Sequence, residues 1–321
     1  MNVLVWHVHG SWTTALVQGP HRYLIPVDGG RGPDGRGRAR TWEWPASAVE
    51  RTPAQLGHED VDVVILQRPR DEELAAAWLG RRPGRDLPAV WVEHNAPQGR
   101  IADLRHPAAD RDDLTVVHVT HTNRLFWDCG STPTVVIEHG IVDPGHRYGG
   151  ERERAAVVVN EAGRRNRVTG SDLLGAFAAR VGIDLFGMGS TGFAGEQQKR
   201  GHDITAYGDV PQHRMHAELA RRRVYLHPVR WTSLGLALIE AMHLGMPVVA
   251  LATTEVPVAV PPSAGVVSND LAVLGDALQH FVDDPEDARR VGKAARAAVL
   301  ERYGLERFLA DWDALLAGVA R

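Results

Sequence analysis

The sequence predicts an α/β protein built as two doubly wound halves. Three observations carry this. Short apolar runs alternate with helix-period segments along the whole chain, the pattern of parallel strands joined by crossover helices. At 321 residues the chain is about twice a typical domain. The series of strands breaks once, at Asp143-Pro144-Gly145 and the charged run 151–154, and then begins again, so a linker is expected near 143–153.

In the first half, strands are expected at 2–7, 23–27, 61–66, 89–92, 115–119 and 134–137, with helices near 72–79 and 122–129. The stretch 28–40 (DGGRGPDGRGRAR) is rich in glycine and arginine, has nothing to bury, and reads as a mobile loop. Its Arg31, Arg36, Arg38 and Arg40 suit an acidic or phosphorylated ligand or an anionic membrane surface, or plain solvation. In the second half, strands are expected at 156–159, 184–186, 204–206, 224–226, 248–251 and 265–267, with helices at 171–181, 211–220, 233–244, 271–281 and 288–303. Segment 306–320 is amphipathic, with Phe308, Trp312, Leu315 and Leu316 on one side. The expected domains are 1–148 and 149–304, followed by a C-terminal helix over 305–321 that can cross back to the first domain.

Composition narrows the partners. Hydrophobic residues make up 44% and charged residues 24%, as in ordinary globular proteins. A net charge of −4 gives no bulk footprint for nucleic acid, and the nine tryptophans do not interleave with arginines as base-stacking platforms do. Cys129 is the only cysteine, so no internal disulfide and no cysteine-based zinc site is expected. The start MNVLVWHVHG lacks the layout of a signal peptide, and no run approaches the ~18 apolar residues of a spanning helix. A cytoplasmic chain is expected, with peripheral contact at the inner membrane face compatible with it.

The sixteen histidines show no pairing with acids or thiols at ligand spacing; His7, His9 and His118 fall in or near strands, and no metal site is expected. Gly-x-Ser-x-Gly is absent, and no Gly-Lys-Ser/Thr follows Gly187-Met188-Gly189, so neither a nucleophile elbow nor a P-loop is indicated. All but two of the 36 lysine-plus-arginine positions are arginine, the exceptions being Lys199 and Lys293. A codon-biased genome accounts for most of this, yet arginine is also the better planar partner for phosphate.

The most informative stretch is 226–251, LHPVRWTSLGLALIEAMHLGMPVVAL. A strand ends at His227-Pro228, Thr232 or Ser233 can cap the helix that follows, and Gly245 stops it before Pro247. Free N–H groups around Leu234 and Gly235 make an anion site at the helix start, where glycine allows close approach. Ser233 and Glu240 share a helix face two turns apart, so a phosphate at the helix start and a ribose at Glu240 suit one nucleotide. On spacing alone, a solvated helix glutamate fits Glu240 as well.

This stretch resembles the donor-site signature of the GT-B retaining glycosyltransferases, the large "glycosyl transferases group 1" family. There a strand ending in His-Pro leads to Glu-Gly-Phe-Gly-Leu, three residues, then Glu-Ala-Met-x-x-Gly-x-Pro-Val-Val. Leu234-Gly235-Leu236, Glu240-Ala241-Met242, Gly245, Pro247, Val248 and Val249 keep that register. The run from Tyr207 to Pro228 is similar to the family's Gly-x-Val-Pro element and helix, and 283–308 to its terminal helices. The resemblance covers 155–310 well and the first half weakly.

The resemblance implies a GT-B fold, two Rossmann-like domains facing a central cleft, with a donor domain second and an acceptor-side domain first. It implies sugar transfer from a nucleotide-sugar to an acceptor hydroxyl with retention and without metal. The donor base (UDP, GDP or dTDP) and the acceptor (a small molecule, natural product, glycan or lipid-linked sugar) stay open, and no cofactor is implied. Glu240 would hold the ribose. The family's first motif glutamate, which touches the donor sugar, is Thr232 here. Gly163 to Gly170 (GRRNRVTG) resembles the Gly-Arg…Lys-Gly turn that neutralises the diphosphate. Arg164 falls on the family arginine and Thr169 on its lysine, with Arg167 or Arg165 able to supply the missing charge.

In the first half, Gly10 can turn backbone amides toward the diphosphate, and His94, ending the fourth strand, matches a family histidine beside the transferred sugar. A plain βα turn and an inert loop histidine are the simpler readings. His121 is a weaker candidate, and His139-Gly140-Ile141 resembles an architectural turn. The alternatives are an epimerase or phosphorylase on the same fold, which the scarcity of lysine disfavours in its lysine-bound cofactor form, and a non-catalytic nucleotide-sugar binder, which Thr232 motivates.

Overall fold

The computed structural model describes residues 1–320, apart from the side chain at position 101. The chain divides into two compact units, one spanning Met1–Val142 together with the segment from Leu305, the other spanning Asp143–Gly304.

The first unit holds a seven-stranded parallel sheet of β1 (Asn2–Val5), β2 (Arg22–Pro26), β3 (Ala48–Arg51), β4 (Val63–Leu66), β5 (Ala89–Glu93), β6 (Thr115–His118) and β7 (Thr134–Val136), in the order β3-β2-β1-β4-β5-β6-β7. The second holds six parallel strands, β8 (Arg152–Val158), β9 (Ile183–Phe186), β10 (Ile204–Gly208), β11 (Arg222–His227), β12 (Val248–Leu251) and β13 (Gly265–Ser268), in the order β10-β9-β8-β11-β12-β13. Strands β4, β5, β9, β11 and β12 are buried at every residue. That is why β4 (VVIL) and β12 (VVAL) read as continuous apolar runs, helices covering both faces of a parallel sheet, while β9 and β11 bury Asp184, Arg222 and Arg223 among theirs.

Three expectations are corrected. Strand β3 escapes the pattern because it lies at a sheet edge, with Glu50 and Arg51 half-buried at its end. The helices Gly10–Leu16, Ala162–Thr169 and Ser190–Lys199 were not foreseen, because glycine, arginine and polar residues blur their period. The stretch 28–40 is tied down rather than mobile. Val27 bridges Arg36, Arg31 pairs with Glu50 at 2.8 Å, and Arg38 donates to the carbonyls of Ala48 and Trp44 at 2.7 and 2.5 Å. Two of its four arginines are therefore committed to holding their own loop.

The C-terminal helix, Leu305–Val319, buries Phe308, Trp312 and Leu316, a four-residue repeat that makes one stripe. Trp12 meets Trp312 edge-on with ring centroids 5.6 Å apart, which seats this helix on the helix Gly10–Leu16 of the first unit.

Candidate functional site

In an open parallel sheet, ligands bind beyond the carboxyl ends of the strands, where the winding order reverses. In the second unit that point lies between β8 and β11. The turn after β8 and the loop after β11 are accordingly stitched together. The Val168 carbonyl accepts from the amides of Arg230 and Trp231 at 3.0 and 3.1 Å. The Arg230 guanidinium donates to the Arg167 carbonyl at 3.0 Å and forks onto Asp172 at 2.5 and 3.0 Å. Gly170 has φ +70°, and a Cβ there would overlap the Pro228 carbonyl, so only glycine lets the two segments touch.

The arginines expected to neutralise a diphosphate all lie on this turn. Arg164 is 72% exposed and meets Glu161 at 3.4 Å; Arg167 is 77% exposed and meets Asp172 at 3.3 Å. Arg165 differs. It is half-buried, no carboxylate pairs with it among the described residues, and burial together with the neighbouring Arg164 charge pulls its pKa down. A desolvated cation without a counter-charge is costly until an anion arrives. Asn166, between them, has φ +25° inside its helix, a strained backbone of the kind that clusters at functional sites. Thr169 is buried, its hydroxyl bonded to the Asn166 carbonyl at 3.1 Å and to Ser171 Oγ at 2.8 Å. It belongs to the interior of the turn.

The helix after β11 starts later than expected, at Leu236, and its N-cap is Gly235 with no side-chain cap. Neither Thr232 nor Ser233 caps it. The first-turn amides lack intrahelical acceptors, as at any helix start, the N-cap glycine brings no side chain of its own, and the dipole adds its positive end. Ser233 and Leu234 are buried, while Thr232 is half-exposed. A Cβ on Gly235 would run into the His227 ring, so the glycine lets the helix start close over that imidazole. His227 is buried, its ring nitrogens have no hydrogen-bond partner among the described residues, and burial holds its pKa at about 4.

Glu240 lies one and a half turns along this helix and is 2% exposed, which removes the solvated-glutamate reading. Its carboxylate accepts from Gln212 Nε2 at 3.0 Å and faces His216 Nε2 at 3.2 Å. Both partners come from the helix Gln212–Leu219 that follows β10. The sequence reading missed them, although their spacing of four on one helix face, just after Gly-x-Val-Pro, was a usable signal.

In the first unit the winding reverses between β1 and β4. His94, one residue past β5, is buried rather than held at an open edge. Its Nε2 meets Gln67 Oε1 at 3.0 Å, and Gln67 Nε2 donates to the Trp6 carbonyl at 2.7 Å. The His9 ring lies 4.1 Å away and Trp12 stands edge-on at 4.8 Å. Burial first, then the neighbouring His9 and His139, keep His94 neutral well below its ordinary pKa. Gly10 opens a short helix, and a Cβ there would make only ordinary contacts, so no steric demand selects glycine. His121 is exposed at the start of its own helix, while His139 is buried with a pKa near 3. His118 lies in the core of β6 with Cys129 Sγ 3.6 Å from its Nε2.

A groove of about 810 Å³ opens elsewhere on the second unit, lined by Gly163, Asn166, Phe193, Gln197 and His202 among others. It shares two residues with the arginine turn and none with the helix start or Glu240. Among the described residues, no group of three or more His, Cys, Asp or Glu is arranged to hold a metal ion, and no helix is long and apolar enough to cross a membrane.

Residues 196–298 match the family described as "Glycosyl transferases group 1", a span that includes Gln212, His216, the 227–235 loop and Glu240. Sucrose-phosphate synthase from Thermosynechococcus elongatus is similar over 99% of this chain and 98% of its own, with a TM-score of 0.74 and 15% identity. HepE of Anabaena, solved in complex with UDP, is similar over 99% and 100%, with a TM-score of 0.70 and 15% identity. A glycosyltransferase from Rickettsia africae is similar over 100% and 98%, with a TM-score of 0.67 and 13% identity. At such identities the solved structures establish the fold. No curated protein matches the chain. The fold is GT-B, and the second unit carries a glycosyl transferases group 1 segment, so the expected class, a glycosyltransferase, is borne out.

Proposed function

We propose that the second unit binds a nucleoside-diphosphate sugar and that the protein transfers its sugar to an acceptor hydroxyl with retention, without a metal. The observation that carries this reading is the pairing of a helix start whose N-cap is Gly235 with a buried carboxylate at Glu240 on the same helix. Five residues rise about 7.5 Å along a helix axis, at ~1.5 Å each. That separation suits the diphosphate and the ribose of one nucleotide.

In this reading the ribose hydroxyls donate to Glu240. The diphosphate meets the amides of Gly235 and its neighbours, and Arg164, Arg165 and Arg167 stabilise its charge as it leaves. The acceptor hydroxyl attacks the anomeric carbon on the face from which the diphosphate departs, and a phosphate oxygen takes its proton. Thr232, in place of the motif glutamate, offers the sugar a hydroxyl without charge. His94 is the first unit's candidate sugar contact, acting as a neutral imidazole. HepE has been solved with UDP-glucose, which makes UDP-glucose the first donor to try. Donor turnover tests the reading: Glu240→Ala and Arg164→Ala should each lose it, and wild-type turnover in both would sink the assignment.

The Thr232 substitution favours a second reading, a binder that holds a nucleotide-sugar without transferring it. A nucleotide-sugar that binds and is never cleaved, with or without candidate acceptors, would select it.

A further inference from the structure

We infer that His216, with Gln212, is a positioning residue for Glu240 and that this pair sets how strongly the site distinguishes a ribose from a deoxyribose. The inference rests on the donor-site reading above and concerns residues which that reading does not use.

Three facts combine. Glu240 is 2% exposed and His216 5% exposed, so their contact is made away from bulk water. Gln212 Nε2 donates to Glu240 Oε1 at 3.0 Å, while His216 Nε2 faces Glu240 Oε2 at 3.2 Å, so each carboxylate oxygen has its own nitrogen. Both nitrogens come from one helix, Gln212–Leu219, one turn apart, so the donor pair is rigid.

A buried carboxylate with no donors turns freely in its torsion and takes up a proton, and in both cases stops being a directional acceptor. Two donors fixed to separate oxygens set its plane and keep it a directional acceptor. An ionised carboxylate accepts about four hydrogen bonds, so two donors do not exhaust it. A vicinal diol is the ligand group that offers two hydroxyl donors at the spacing of one carboxylate. The groups that face Glu240 electrostatically are His216, His243 on its own helix, and Tyr225 of β11, whose pKa burial and the Glu240 charge push up. Of these, His216 and not Tyr225 or His243 has a hydrogen bond to the carboxylate described.

The test is a ligand comparison on the full chain by isothermal titration, with UDP, GDP, their 2′-deoxy forms and dTDP as probes. The wild type should bind whichever ribonucleotide it prefers about tenfold more tightly than the deoxy form. His216→Leu should bring that ratio to about two, and His216→Gln, which keeps a neutral N–H donor, should restore most of it. Gln212→Leu gives a second route to the same readout should His216→Leu not fold. A merely structural role would weaken both nucleotides alike and leave the ratio unchanged. Full discrimination in folded His216→Leu and Gln212→Leu overturns this inference alone. A chain that binds dTDP but neither UDP nor GDP overturns this inference alone; one that binds none of UDP, GDP and dTDP overturns the donor-site reading, and this inference with it.

Discussion

Arg230 grips Asp172 at two points, 2.5 and 3.0 Å, and so ties the loop after β11 to the turn after β8. Both side chains are about a quarter exposed, so the pair itself contributes little stability, about 0.2–1 kcal/mol. Its consequence is geometric. Asp172→Ala should leave thermal stability nearly unchanged, yet lower nucleoside-diphosphate affinity several-fold, because the helix start and the arginine turn lose their common register. Parallel melting and titration experiments check this, and an unchanged affinity would count against it.

Gly170 should tolerate no side chain. Alanine there would adopt φ +70° and push against the Pro228 carbonyl. The expected cost is about 2–4 kcal/mol, from backbone strain together with overpacking. A denaturation midpoint equal to wild type in Gly170→Ala would refute the close contact.

Arg165 should matter more for the diphosphate than its exposed neighbours. It is the half-buried cation of the turn, and loss of its charge relieves a burial cost while removing a phosphate partner. Arg165→Met should therefore weaken UDP binding about tenfold while leaving uridine binding unaltered. The same substitution at Arg167, 77% exposed, should cost threefold or less. Equal losses for UDP and uridine would show that Arg165 does not meet phosphate.

Acid should unfold this protein through its buried histidines. His9, His118 and His227 are held at about 4, and His139 at about 3, in each case chiefly by burial. Unfolded histidine titrates near 6.5. Above that pH both states are neutral and stability is complete. Between about 6.5 and 4 the unfolded chain takes up protons that the folded chain refuses, so stability falls as pH falls. The slope is on the order of 1.4 kcal/mol per pH unit for each such histidine. Melting temperature should drop steadily from pH 7 to 4, and a flat profile would contradict the buried neutral imidazoles.

Much of this was legible in the sequence because it rests on local chemistry. Gly235 and Glu240 lie on one helix, as their spacing indicates, and the roles proposed for them rest on the family resemblance. Gly245, the stop of that helix, does adopt φ +87°. What stayed hidden depends on contacts between distant segments. His216 meets Glu240 across 24 residues, and Gln67 meets His94 across 27. The need for glycine at 170 comes from Pro228, which no local pattern announces. The capping expectation at Thr232 and Ser233 failed for a related reason. Residue preference favours a hydroxyl at the N-cap, but the His227 ring lies where Gly235 alone can pass, so the helix begins there instead. The arginine-rich loop 28–40 misled in the opposite direction, because Glu50, on an edge strand with little apolar signal, supplies the charge that fixes it.

The central claim is that the second unit holds a nucleoside-diphosphate sugar between the amides at Gly235 and the carboxylate of Glu240. Titration of the full chain with UDP-glucose, a GDP-sugar and a dTDP-sugar, beside Glu240→Ala, tests it most directly. The account predicts saturable one-to-one binding of one of them, weakened at least tenfold in a Glu240→Ala variant that melts as a folded protein. Wild-type affinity in that variant, or a wild type that binds none of UDP-glucose, a GDP-sugar and a dTDP-sugar, would contradict it.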